Sequence, residues 1–475
     1  VLLPAPEVNL PSLAAIDRAK IELDRRLGPS KVLTSPEACA RFATDDSDVE
    51  GRPPAAVVIA ASESDVQTTL TIAEACGVPV TPRAGGTGRT GGAVPVAGGI
   101  VLCTHALASI KEIDRANLVA VVEPGVVTGE LHATVEREGL FYAPDPNSLD
   151  SCMLGGNLAE NAGGPRAFKY GVTRDWVFGL RACLMGGRVV RTGKRTVKGV
   201  TGYDLTALLV GSEGTLAVFT EATLRLVPKP PALATALALF SDVHAAAQAV
   251  GAVIAAGAVP RCLEMLDAAT LAAVRKAGVA VDPRAGAMLL IEMDGEGAES
   301  ALFRVGEVAN SSAGCIDVVV AQDASQRDRL WAARRSLSRA TRLLARHKLS
   351  EDVVVPRTRI AELLTRVDAI GEATHVRHLV YGHAGDGNLH VNFLWDDDTE
   401  RPAVDRAIGL LMRATVELGG TLSGEHGIGV SKAQYLPLEQ SEDLIALQVD
   451  IKRVFDPKGL LNPGKIFPHE SHRAC

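Results

Sequence analysis

Apolar residues recur at Leu13, Ile16, Ile21, Leu23 and Leu27, a spacing that predicts an N-terminal helix over residues 12–27. Residues 57–60 then read as a strand. Residues 64–76 read as a helix with Asp65 near its start and Gly77 after its end. Val78 and Val80 lead into a glycine-rich run over 84–92, and a second strand follows at 100–104. A strand at 119–122 and a helix at 129–138 continue the alternation, which has α/β character up to about Pro228. Pro228-Lys229-Pro230-Pro231 is the sharpest punctuation in the chain. Beyond it, strands at 237–240, 288–293, 317–321 and 378–382 alternate with alanine-rich amphipathic helices, predicting a second, α+β unit. Residues 451–457 read as a short helix ended by Pro457.

The length, 475 residues, implies two or three domains, and 47% hydrophobic content gives ample core. A net charge of −7 argues against a nucleic-acid partner, so an anionic ligand must be held by local cations. No apolar stretch approaches the ~20 residues of a spanning helix, and the proline-rich opening is a poor signal peptide. The expectation is a cytoplasmic protein that touches a membrane only through a partner. Eight scattered cysteines, Cys39, Cys76, Cys103, Cys152, Cys183, Cys262, Cys315 and Cys475, form no CxxC pair and are expected reduced and mostly buried.

Gly86-Thr87-Gly88-Arg89-Thr90-Gly91 fits the dinucleotide pattern GxGxxG. That motif requires a helix opening at its last glycine, and Gly92, Pro95, Gly98 and Gly99 forbid one. The glycine density still exposes backbone N–H groups able to bind an anion. Two further clusters, residues 154–164 and 211–216, would each be read alone as a turn. Three in one half of the chain point to a single extended, phosphate-bearing cofactor.

The sharpest local signal is Tyr381-Gly382-His383-Ala384-Gly385-Asp386-Gly387-Asn388-Leu389-His390-Val391-Asn392. Asp-Gly is a strong two-residue hairpin turn, and with it at the tip His383 opposes His390. Opposed side chains share a face, so two imidazoles could converge on one metal, with Asn392 on that face too. A third ligand is needed. The turn Ser423-Gly424-Glu425-His426-Gly427 offers Glu425 and His426, which can face one site only where the backbone is irregular.

The three glycine clusters together resemble the FAD-binding domain of the vanillyl-alcohol oxidase family, and the two histidine segments resemble its D-2-hydroxy acid dehydrogenase branch, which includes D-lactate, glycolate and D-2-hydroxyglutarate dehydrogenases. The resemblance runs from about Ala55 to the C-terminus. It implies an α+β fold: a two-subdomain FAD-binding domain (51–228), an α+β substrate or cap domain with an antiparallel sheet and the metal site (229–440), an N-terminal helical segment (1–50) and a C-terminal helical segment returning to the FAD domain (441–475). Pro82, Arg83, Ala84, Gly85, Gly86, Thr87 and Gly88 resemble the loop around the FAD pyrophosphate. Gly155, Gly156, Asn157, Asn161, Ala162, Gly163, Gly164, Tyr203, Glu213, Gly214 and Asn462 would line the rest of the cofactor. No histidine lies between Pro82 and Gly99, so FAD is expected to be non-covalent.

By the same resemblance His383, His390 and Glu425 bind a divalent metal, with zinc expected first and manganese or iron as alternatives. His426 is the base and Asn392 a substrate contact. Leu330-Trp331-Ala332-Ala333-Arg334 resembles the motif whose arginine holds the substrate carboxylate, a task suited to a guanidinium fork. Relatives acting on 2-hydroxyglutarate tend to carry threonine and lysine where this chain has Ser338 and Ser350, so a small monocarboxylate is favoured, although Lys348 could compensate. The acceptor would be a quinone, an electron-transfer flavoprotein or a partner subunit, and a homodimer is the default assembly. The competing readings are a non-catalytic FAD-binding subunit of a larger oxidase and a flavin alcohol oxidase.

Overall fold

The computed structural model describes residues 10–468, and it resolves into two compact units. The first comprises the described residues of Val1–Gly163, Val172–Lys229 and Glu425–Cys475. Its opening helix, Leu13–Leu27, is capped by Ser12, whose Oγ accepts the Ala15 N–H. The helix lies where the apolar spacing predicts it, but its buried residues are Ala15, Ala19 and Leu23, while Leu13 and Ile21 stand 80% and 66% exposed. Ala15 and Ala19, small residues at i and i+4, let it approach the Glu63–Cys76 helix closely, and Leu23 at i+8 completes the buried face.

Two sheets organise this unit. In the first, Ala56–Ile59, Ile100–Cys103 and Val80–Arg83 run parallel, with Ile100–Cys103 in the centre and Val32–Leu33 added antiparallel at one edge. The Glu63–Cys76 helix supplies a crossover that parallel strands need. The second sheet, in the order Ile110–Asp114, Val119–Val122, Val218–Arg225, Val177–Cys183, Val189–Gly193, is antiparallel throughout. The parallel pairing expected of an α/β unit therefore holds only as far as Cys103; beyond it the strands pair antiparallel, although the helices Thr128–Arg137 and Leu154–Glu160 still separate Val119–Val122 from Val177–Cys183.

The second unit, Gly164–Gly171 with Pro230–Gly424, is built on a seven-stranded antiparallel sheet. Its order is Cys315–Val320, Leu233–Phe240, Ala287–Asp294, Cys262–Leu266, Arg377–His383, Asn388–Trp395, His347–Val354. Every residue of Cys262–Leu266, Ala287–Asp294 and Asn388–Trp395 is buried. A strand covered on both faces normally reads as a continuous apolar run. The polar residues here, Glu264, Glu292, Asp294, Asn388, His390 and Asn392, therefore need partners inside the protein.

The final helix, Glu442–Phe455, is longer than the tail pattern suggested: Ser441 caps it, with Oγ accepting the Leu444 N–H, and Glu442 and Asp443 occupy its first turn. No described helix is long and apolar enough to cross a membrane. The seven described cysteines are free and five are buried; Cys475 lies outside the described residues.

Candidate active site

The first unit draws the three glycine clusters together. After the Val80–Arg83 strand no helix opens at Gly91, so the backbone of residues 84–92 remains an open loop. The helix Leu154–Glu160 starts against it: a Cβ on Gly155 would stand 2.8 Å from the Pro124 side chain and 3.5 Å from the Ala84 methyl, so only glycine fits. Glu213 then bonds through its N–H to the Ala159 carbonyl at 2.8 Å. Asn462 closes the ring, its Nδ2 donating to the carbonyls of Gly92 (3.0 Å) and Glu213 (2.8 Å). Asn161, Glu213 and Asn462 all hold positive φ, an uncommon conformation for residues with a Cβ. Asn157 is buried and donates to Thr128 Oγ1 at 2.6 Å. Tyr203 is not part of this convergence; it stands 97% exposed.

The second glycine cluster leads directly to the Glu425–His426 turn. A Cβ on Gly163 would lie 3.2 Å from Glu425 Oε2. Thr90 Oγ1 donates to the His426 carbonyl at 3.0 Å, and Glu213 accepts the N–H groups of Ile428 (2.8 Å) and Gly429 (2.7 Å). Gly427 has φ +78°, and a side chain there would meet Glu160 Oε2 at 2.3 Å. The backbone is irregular, and His426 Nε2 and Glu425 Oε1 come within 3.8 Å, so neighbours that a strand would separate face one place. Burial raises both Glu213 and Glu160. The N–H groups of Ile428 and Gly429 partly counter it for Glu213, whereas the Glu213 charge raises Glu160 further.

In the second unit the histidine hairpin differs in register from the sequence reading. His383 pairs with Asn388, and His390 pairs with Tyr381, so the loop has four residues rather than the two of an Asp-Gly turn. The amides of Asp386 and Gly387 both bond back to the His383 carbonyl at 3.2 Å, which closes the wider loop. The shift is two residues, an even number, and so leaves every side chain on its expected face. His383 and His390 become diagonal neighbours with ring centroids 5.4 Å apart. Asn392 shares the face, buried, with Nδ2 donating to the His390 carbonyl at 2.9 Å; its Oδ1 accepts no hydrogen bond among the described residues.

Two acids that sequence reasoning missed complete this face. Glu264 lies opposite His383 on the neighbouring strand. Its Oε1 is 2.6 Å from His383 Nδ1, and its Oε2 accepts Arg334 Nε at 2.6 Å. Burial raises its carboxyl, but the charges and hydrogen bonds of His383 and Arg334 prevail and hold it below the ordinary range. Glu292 accepts Trp331 Nε1 at 3.0 Å. Trp331 and Arg334, three apart on the Ala324–Arg335 helix, thus bind that helix to two acids of the sheet. The only signal was the pair of acids inside otherwise apolar strands, which burial makes costly unless partnered.

His383, His390 and Glu425 meet as a donor set: one ligand atom from each lies within 4.8 Å of the others. Glu425 follows directly on Gly424, whose N–H is held by Asp352 at 2.9 Å, and Asp352 lies opposite His390 in the sheet. Two imidazoles and a carboxylate suit a borderline divalent cation, and the Glu264 bond to Nδ1 is the outer support that metal-binding histidines ordinarily have. Ser350 lies opposite Asn392, and Lys348, two residues before it on the same face, donates to Thr341 Oγ1 at 3.3 Å. Ser338 falls in the Leu337–Arg342 helix, but its side chain lies outside the described ones.

Comparison with known proteins agrees with this architecture. Residues 54–193 match the family model described as FAD binding domain, and residues 229–466 match that of FAD linked oxidases, C-terminal domain. The chain is 41% identical to the glycolate oxidase subunit GlcD of Bacillus subtilis (strain 168), over 88% of this chain and 90% of the relative. It is 35% identical to a D-2-hydroxyglutarate dehydrogenase of Xanthomonas citri pv. viticola, over 89% and 90%. Among solved structures, p-cresol methylhydroxylase with substrate bound shares the fold, with a TM-score of 0.81 at 17% identity over 97% of this chain and 99% of that one. Two linked domains, converging glycine loops and relatives of this kind place the chain in the FAD-linked oxidases, within the group of 2-hydroxy acid dehydrogenases and glycolate oxidases.

Proposed function

We propose that this flavoprotein oxidises a D-2-hydroxy acid to the 2-oxo acid with metal assistance, and that its substrate is a small monocarboxylate such as glycolate or D-lactate. The observation that carries the reading is the convergence of His383, His390 and Glu425, with His426 as the next residue in the chain. The chemistry supplied by FAD when bound is two-electron acceptance, and that supplied by a divalent cation is polarisation of the substrate hydroxyl. FAD would be held non-covalently by the loops around Gly85, Gly155 and Gly214. The metal would be held by His383, His390 and Glu425, with zinc the best match to the donors and manganese or iron the alternatives. Arg334 binds the substrate carboxylate, with the plane of its guanidinium fixed by Glu264. His426 removes the hydroxyl proton onto Nε2, the nitrogen beside Glu425. Asn392 Oδ1 accepts a hydrogen bond from the substrate.

Serine rather than a cation at position 350 favours one carboxylate. Lys348 on the same face favours a second reading, 2-hydroxyglutarate, the acid in the name of the Xanthomonas relative. The Bacillus relative is named as a subunit, which supports reoxidation through a partner protein. The test is anaerobic mixing of the purified flavoprotein with glycolate, D-lactate, L-lactate and D-2-hydroxyglutarate while flavin absorbance is followed. Glycolate or D-lactate should bleach it fastest and L-lactate should not. A flavin that none of them bleaches would remove the reading.

A further inference from the structure

Glu264 is fully buried, and its two oxygens go to different elements: Oε1 to His383 on the adjacent strand, Oε2 to Arg334 on a helix. We propose that Glu264 is a positioning residue that sets the tautomer of His383 and so fixes the affinity of the site for its metal, while tying that imidazole to the arginine that takes the substrate carboxylate. The inference rests on the metal reading above. A carboxylate only accepts hydrogen bonds, so His383 must carry its proton on Nδ1 and present Nε2 as a ligand lone pair. Arg334 also donates to this carboxylate, so neither oxygen can change partner without disturbing the other. The alternative is that Glu264 only neutralises a buried arginine.

Glu264→Gln distinguishes the two. An amide has one accepting oxygen and cannot satisfy both donors; if its NH2 turns to His383, the imidazole proton moves to Nε2 and blocks the ligand position. Loss of such outer support typically lowers metal affinity about 10–100-fold, and that loss is the expected result for zinc, measured by competition with a chromophoric chelator at unchanged flavin content. Since the single substitution removes one charge of a buried pair, the double variant Glu264→Leu/Arg334→Met is measured beside it, because it removes both charges together and leaves His383 Nδ1 no acceptor at this position. The proposal expects the double variant to remain about as weak as the single one. Wild-type zinc affinity in either variant would overturn it, the double variant in particular showing Glu264 to be a counter-ion alone. A wild-type protein that binds no zinc, manganese or iron would instead refute the metal reading, and this inference with it.

Discussion

Glu213 Oε2 accepts the backbone N–H of Gly429 at 2.7 Å, and through Gly429 and Ile428 it holds the turn that carries His426. A buried carboxylate bonded to two successive amides fixes a loop more firmly than a neutral acceptor would. A misplacement of about 1 Å can cost a reaction roughly 10²-fold. Glu213→Gln, with one accepting oxygen, is therefore expected to lower kcat by about 10–10²-fold with KM little changed. Steady-state kinetics on flavin-loaded protein would check this, and an unaltered kcat would show that the loop holds itself.

His426 is the only member of this turn assigned to proton transfer. Its replacement by alanine should reduce turnover by about 10²–10⁴-fold while flavin content and zinc binding stay as they were. A rate near that of the wild type would transfer the role of base elsewhere.

Metal removal offers a separate check. Dialysis against a strong chelator should abolish hydroxy-acid oxidation, and one equivalent of zinc should restore it; His390→Ala should lose both zinc and activity, because two ligands hold a divalent cation poorly. Full turnover in protein shown to be metal-free by elemental analysis would contradict the assignment of His383, His390 and Glu425.

Lys465 provides a test by pH. Its Nζ is buried and donates to the Val94 carbonyl at 2.7 Å. Burial brings the amine down to about 7, against the opposing pull of Asp45, Glu213 and Glu160. In the unfolded chain a lysine keeps its proton to about 10.4. Between these values the unfolded state binds more protons, so this group makes the fold more stable as pH rises from about 7 towards 10, and the gain is lost as pH falls back through 7. Urea midpoints at pH 7 and 9.5 should show the wild type gaining up to about 3 kcal/mol on Lys465→Met between the two. An advantage independent of pH would refute the shift.

Much of the site is written in side-chain periodicity, and what is not written is contact between distant segments. The face of the histidine hairpin follows from a period of two and survives an error in register, because the error was even. The register itself depends on how Asp386 and Gly387 bond back to His383, which a dipeptide propensity does not report. Glu264 and Glu292 carry no motif; only the pairing of their strands shows what they hold. Arg334 and Trp331 could be recognised as a motif, yet their direct attachments are to acids remote in sequence. The change from parallel to antiparallel pairing after Cys103 was hidden because short strands with similar hydrophobicity occur in both.

The first unit is completed by residues that follow the second unit in the chain. Val80 donates to the Leu460 carbonyl and accepts from Asn462, and Lys452 Nζ bonds to the carbonyls of Thr215 and Leu461. During synthesis these partners emerge only after the whole of Pro230–Gly424 has been made. The glycine loops must therefore wait, unfinished, while the second unit is translated, although domains made first usually fold first. Flavin capture is thus a late event in the life of each molecule, and a chain halted before Leu460 would lack the residues that close the cofactor loops.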